Sequence, residues 1–282
     1  MIDRRANSIS VIVYRHPLAV RLWHWSTAAA VCGLLLTGFC IFNVHPRLYW
    51  GEVGNAGTEP IIALVTTEVG GAHAATHPVP AALTVGSHRW DVTGYLGGVW
   101  DVGADGIYFV IALTPDSWQF GAMRAWHFVC AWALILGWIC YAAYLLTSGR
   151  LRQTLLPTAS QATLRGFVQD VWNHLRLRRA HGEDARQYNL LQKVSYLVVL
   201  FVLIPGAVLS GVTMSNSVTA RFPELYALFG GRQSARTIHA LCATGLLLFF
   251  VVHFVQLFVA GFVNEVRSMI TGYLSVRTEA HK

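Results

Sequence analysis

Four stretches of the sequence contain no Asp, Glu, Lys or Arg: residues 22–46, 125–149, 194–220 and 237–264. Each is longer than the about 20 residues that a helix needs to cross about 30 Å of hydrocarbon. In lipid every backbone N–H and C=O has to be satisfied inside the segment, so runs of this kind fold as helices. The composition agrees, because 54% of the 282 residues are hydrophobic and only 12% are charged, against roughly a quarter charged in soluble domains. An all-α membrane protein follows: a four-transmembrane-helix bundle forming one domain over 1–282, with spans about 20–44, 124–148, 191–214 and 236–262. A fifth uncharged run, 69–88, is not a span. It carries Gly70, Gly71, Pro78, Pro80, His73, His77 and His88 and little Leu, Ile or Phe, so its backbone would go unsatisfied in lipid.

Basic residues set the orientation. Arg4, Arg5, Arg15 and Arg21 precede the first span. Arg150, Arg152, Arg165, Arg176, Arg178, Arg179, Arg186 and Lys193 lie between the second and third, and Arg267, Arg277 and Lys282 follow the fourth. These compartments hold 15 of the 21 basic residues. The positive-inside rule therefore makes both termini and the 150–188 loop cytoplasmic, and places an insert of about 47–120 outside. The formal charge of +7 reports topology rather than nucleic-acid binding. No small-residue cleavage site follows an early apolar core, so the first span is expected to stay uncleaved. Cys32, Cys40, Cys130, Cys140 and Cys242 all fall in spans, with no C-x-x-C. They read as small buried residues, which leaves covalent haem attachment, zinc knuckles and iron–sulfur clusters unsupported.

Histidines inside the spans carry the chemistry. "RLWHW" at 21–25 and "RAWHF" at 124–128 place His24 at the cytoplasmic start of the first span and His127 at the external start of the second. The fourth span holds His239 near its external start and His253 deeper. Fourteen residues of helix rise about 21 Å and turn to within about 40° of four full turns, so these two share a face at two depths. Each depth has one partner, His127 with His239 outside and His24 with His253 inside. Two imidazole pairs at two depths match two six-coordinate haems, one nitrogen on each axial side of the iron. Copper would call for Met or Cys at helical spacing beside them; Cys130 and Cys242 follow His127 and His239 by three residues, but neither His24 nor His253 has such a neighbour. The remaining histidines, His16, His45, His73, His77, His88, His174, His181 and His281, lie in loops or tails, where solvation or capping is the default.

Arg21, Arg124 and Arg236 each stand three residues before one of these histidines, on its face and its aqueous side. They are expected to pair with haem propionates, although arginines also flank spans as orientation signals. Gly38, fourteen residues after His24, falls at the level of the outer haem and would let a macrocycle edge approach the backbone; glycine also serves ordinary helix packing in membranes. Asn189 at the start of the third span reads as an N-cap. Residues 160–179 place Leu164, Phe167, Val168, Val171, Trp172 and Leu175 along one face, an amphipathic helix for the inner membrane surface.

These features resemble the cytochrome b subunits of nickel–iron hydrogenases, formate dehydrogenases and thiosulfate-reductase-like complexes. The resemblance rests on "RLWHW", the H-x13-H pair, "YNLLQK" at 188–193 and "FGGRQSARTIHA" at 229–240. "HPRLYWGEVG" at 45–54 is similar to the thiosulfate-reductase branch, whose relatives often accompany a molybdopterin oxidoreductase. The external insert is longer than in the smaller hydrogenase and formate dehydrogenase anchors. The resemblance implies two non-covalent b haems in a bacterial cytoplasmic (inner) membrane, and electron transfer between a periplasmic catalytic subunit, a molybdopterin oxidoreductase or a hydrogenase-like complex, and quinone. It also implies that "YNLLQK" borders the quinone, with Asn189 donating to a quinone carbonyl. No nucleophile, phosphate loop or metal-hydrolase motif is present in the sequence, so catalysis falls to the partner. Two rival classes stay open at this point: a free-standing diheme quinone oxidoreductase acting on a diffusible oxidant such as superoxide, and a transporter whose histidines relay protons.

Overall fold

The computed structural model describes residues 8–55, 57–66, 81–93, 97–101, 106–110, 120–158, 162–176 and 189–279. Most of the 69–88 run lies outside the described residues, as do Tyr188 of "YNLLQK", His73, His77, His181, His281, Arg4, Arg5, Arg178, Arg179, Arg186 and Lys282. In chain order, β1 (Ser8–Tyr14) leads into α1 (Leu18–Val44). Six strands follow: β2 (Arg47–Leu48), β3 (Ile62–Thr66), β4 (Ala81–Val85), β5 (His88–Asp91), β6 (Gly97–Asp101) and β7 (Gly106–Val110). Then come α2 (Phe120–Thr147), a π-turn over Leu151–Leu155, α3 (Leu164–Leu175), α4 (Leu190–Val198), a second π-turn over Val199–Leu203, and α5 (Ile204–Thr213). The short α6 (Asn216–Arg221) and α7 (Glu224–Phe229) precede α8 (Arg232–Ala260), α9 (Phe262–Thr271) and β8 (Tyr273–Glu279).

Four of these segments are long and apolar enough to cross a membrane: α1, α2, the continuous run Leu190–Thr213, and α8. They lie within four residues of the expected spans at every boundary. Large apolar side chains such as Leu22, Leu36, Trp132, Leu136, Leu146 and Leu248 are exposed on them, which suits contact with hydrocarbon rather than water. The π-turn in the third span has a local cause. Pro205 has no N–H to return to the carbonyl of Leu200, and its ring crowds the preceding turn. Trp138 Nε1 takes up that carbonyl at 2.8 Å.

The chain forms two compact units. The first comprises Met1–Ala28, Leu134–Pro205 and Thr244–Lys282. Its core gathers Tyr141, Leu145, Leu155 and Leu200, with Trp23, Trp138 and Tyr196 packed against them. Trp23 stacks on Tyr141 with ring centres 3.7 Å apart and planes within 8°. Both chain ends join here, as β1 pairs antiparallel with β8 from Ser8↔Glu279 to Tyr14↔Tyr273. These tail strands lie outside the four spans expected from the sequence. Gly272, at φ +91°, ends α9 in the left-handed conformation that glycine tolerates, and its carbonyl accepts from Arg15 and His16. The last carbonyls of α9 are then used by the start of α1: Trp25 Nε1 donates to Met269 O at 3.2 Å and Arg21 Nη1 to Ile270 O.

The second unit comprises Ala29–Ala133 and Gly206–Ala243. Its sheet runs in the order β2-β3-β4-β5, all antiparallel. The β4–β5 hairpin turns in two residues, Gly86 and Ser87, a length that needs the positive φ seen at Gly86. Small residues pair at two of its helix contacts. Cys130 Sγ would lie 2.6 Å from a Cβ at Gly33, and Cys242 Sγ 2.9 Å from one at Gly206, the close approach expected between helices in lipid. The backbone of 49–54 caps α8 from outside it: Gly51 O accepts from Gln233 N and Ser234 N at 3.0 and 3.2 Å, satisfying donors that a helix start otherwise leaves free.

Candidate functional site

In the second unit, His127 of α2 and His239 of α8 face each other with ring centres 6.1 Å apart and planes at 62°. Each ring has its Nδ1 engaged. The Thr37 hydroxyl lies 2.7 Å from Gly33 O and 2.9 Å from His127 Nδ1. With its single proton on the carbonyl, that hydroxyl accepts from the ring. His239 Nδ1 lies 2.8 Å from Ala207 O, and a carbonyl only accepts. Nδ1 therefore carries the proton in both rings, and both Nε2 atoms keep a bare lone pair. This carbonyl or hydroxyl support fixes the tautomer of a metal-binding imidazole and raises its basicity. Ser210, fully buried, adds its hydroxyl 3.4 Å from His239 Nδ1.

In the first unit, His24 of α1 and His253 of α8 stand 6.3 Å apart at 57°. Aromatic packing holds them. His253 stacks on Phe249 at 5.7 Å, Phe249 meets Tyr196 edge-on, and Trp25 meets His24 edge-on at 5.2 Å. His24 Nδ1 and, one turn on, Thr27 Oγ1 are buried with no hydrogen-bond partner. Nearby, His16 is 5% exposed. Burial first, then the charges of Arg15, His24, Arg150 and Arg21, lower its pKa to about 4, so it is neutral at pH 7 rather than a solvated tail residue.

Both separations fit haem. A metal–imidazole bond of about 2.0 Å, added to the about 1.15 Å from nitrogen to ring centre set by ring bonds of about 1.33 Å, places two axial imidazoles about 6.3 Å apart, centre to centre. Among the described residues no three His, Cys, Asp or Glu gather around a point, as a centre built from side chains alone would require. Paired histidines suit a group that brings four nitrogens of its own.

The expected neighbours are placed as follows. A Cβ on Gly38 would lie 3.6 Å from His127 Cε1, so this glycine borders the His127 ring. Gly211, which the sequence reading did not single out, borders His239 at 3.2 Å in the same way. Arg236 Nη2 donates to His45 O at 2.6 Å, Arg21 is turned to the end of α9, and Arg124 is exposed. Asn189 forms a capping box. Its Oδ1 accepts from Gln192 N at 2.9 Å, and Gln192 Oε1 accepts from Asn189 N at 3.2 Å. The cap expected from residue type is present, and the Asn189 amide nitrogen remains a donor. In α3, Leu164, Val168 and Trp172 are exposed along one row, the apolar face expected of an interfacial helix.

Residues 15–272 match the sequence profile described as prokaryotic cytochrome b561. A chain of Azospira oryzae named "Putative protein-methionine-sulfoxide reductase subunit YedZ1" is 34% identical over 141 residues, covering 50% of this chain and 67% of the relative. No solved structure gives a significant match. Together with the four apolar helices, this makes the protein a multi-pass membrane protein of the electron-transfer type. The chain belongs to the prokaryotic cytochrome b561 family, membrane helical bundles that carry b-type haem.

Proposed function

We propose that the chain is the diheme electron-transfer subunit of an oxidoreductase complex, linking a periplasmic catalytic subunit to the quinone pool. The observation that carries this reading is the pair of facing histidine couples, at 6.1 and 6.3 Å. His24 and His253 would hold the inner haem, and His127 and His239 the outer one. Bound haem supplies one-electron oxidation and reduction at each position. The chain's own residues fix the conditions. Thr37 and Ala207 keep Nδ1 protonated so that Nε2 can ligate. Gly38 and Gly211 leave the ring faces clear, and Arg21, Arg124 and Arg236 offer cations toward carboxylates. Asn189 is assigned to the quinone through its amide nitrogen while its oxygen caps α4.

The sulfoxide-reductase subunit named among its relatives supports a redox partner, and the resemblance to thiosulfate-reductase-like anchors supports a molybdopterin oxidoreductase. The antiparallel pairing of β1 with β8 supports termini on one side, assigned to the cytoplasm of a bacterial inner membrane. Quinone coupling is tested by adding a quinol analogue to the purified cytochrome anaerobically. The haem bands should become reduced within the mixing experiment. Bands that respond to dithionite but never to quinol would contradict the quinone assignment.

A further inference from the structure

Outside His239, the start of α8 and segment 45–54 enclose a second set of polar groups. Tyr49 is 1% exposed, held by the bond from Thr237 Oγ1 to its carbonyl at 2.6 Å and by His45 stacked on its ring at 6.0 Å. Its hydroxyl is buried without a partner, as is Oε1 of Gln233. The two side chains converge on Gly54, where a Cβ would lie 2.7 Å from the Tyr49 ring and 2.8 Å from the Gln233 amide carbon. Arg236, one turn before His239, is tied to the carbonyl of His45, whose ring stacks on Tyr49. A buried hydroxyl left unpaired is costly, so a cation, a phenol and an amide gathered in one place imply something that they bind together.

We infer that Tyr49, Gln233 and Arg236 form a carboxylate cradle for the propionate edge of the outer haem, with Tyr49 Oη as the neutral donor beside the Arg236 cation. This rests on the assignment of a haem to His127 and His239. Arg236 needs one guanidinium nitrogen for His45 O and keeps others for a carboxylate. Tyr49 donates its proton, and the Gln233 amide can present its nitrogen. The segment 45–54 thereby acts as a positioning element for the outer site, not only as a cover. A carboxylate from solvent or from a docked protein has the same chemistry, so the test has to separate the sources.

Tyr49→Phe removes the hydroxyl and keeps the buried ring. With one donor gone, the carboxylate charge is less compensated and the oxidised iron is favoured. Both haems should remain, and at a fixed applied potential the reduced-to-oxidised ratio of the outer haem should fall about three- to tenfold, with the inner haem unchanged. Protein reconstituted with haem dimethyl ester, which has no free carboxylate, should show no difference between wild type and Tyr49→Phe. An unchanged outer-haem titration in the Tyr49→Phe variant would overturn the cradle, and so would a difference that persists in the ester. Gln233→Leu gives a second measurement with the same expected direction. Failure of the haem assignment itself is distinguishable, because His127→Ala would then leave the outer component intact.

Discussion

At the residue scale the histidines that pair in the structure were legible and their supports were not. His24, His127, His239 and His253 stand out because an imidazole is rare in an apolar helix and because fourteen residues bring a face round again. Thr37 gave no such signal. A Thr in a membrane helix usually returns its proton to its own backbone, and only the position of α2 turns that hydroxyl into an acceptor for His127. Tyr49 and Gln233 were equally silent, since one belongs to a loop and the other to a helix start 184 positions later in the numbering of the chain. Thr37→Val keeps the shape and removes the acceptor. His127 Nδ1 would then be unsupported, at a cost of about 1–3 kcal/mol, and outer-haem affinity should fall about 10- to 100-fold. Haem titration into the apo-protein measures this. Unaltered outer-haem affinity in Thr37→Val would show that the hydroxyl has no part in holding the ring.

At the element scale, the spans were legible because charge-free length decides them, and their ends were set by chemistry that a hydropathy pattern does not contain. The third span passes through a π-turn just before Pro205, where Trp138 takes up the carbonyl of Leu200. The pairing of Trp138 with Leu200 could not be read from positions 62 apart. The four-stranded sheet escaped for another reason. Its strands are short, and β2 has only two residues, too few for an alternation to register. Asn189 illustrates a residue whose two roles separate by substitution. Asn189→Ala loses the capping box and should cost about 0.5–2 kcal/mol of stability. Asn189→Asp keeps an acceptor for Gln192 N but, ionised, cannot donate to a quinone carbonyl. The account predicts native-like melting for Asn189→Asp together with a three- to tenfold weaker quinone affinity, the effect of about one lost hydrogen bond. Wild-type quinol-driven haem reduction in Asn189→Asp at neutral pH would remove Asn189 from the quinone site and leave it a cap.

At the scale of the whole molecule, the first unit joins the two chain ends through β1 and β8, fixes α9 onto the start of α1, and contains the His24/His253 couple. The second carries the four-stranded sheet, the 45–54 segment and the His127/His239 couple. The order of spans was available from composition. The joining of the tails was not, because Ser8–Tyr14 and Tyr273–Glu279 lie at opposite ends of the sequence. The central claim is that each unit holds one haem between its two histidines. Haem quantitation on the purified, detergent-solubilised chain, combined with its low-temperature optical and electron paramagnetic resonance spectra, tests it most directly. The account predicts two b haems per chain, both low-spin with two histidine ligands, one component lost in His127→Ala and the other in His24→Ala. One haem per chain, or a single component abolished by both substitutions, would contradict it.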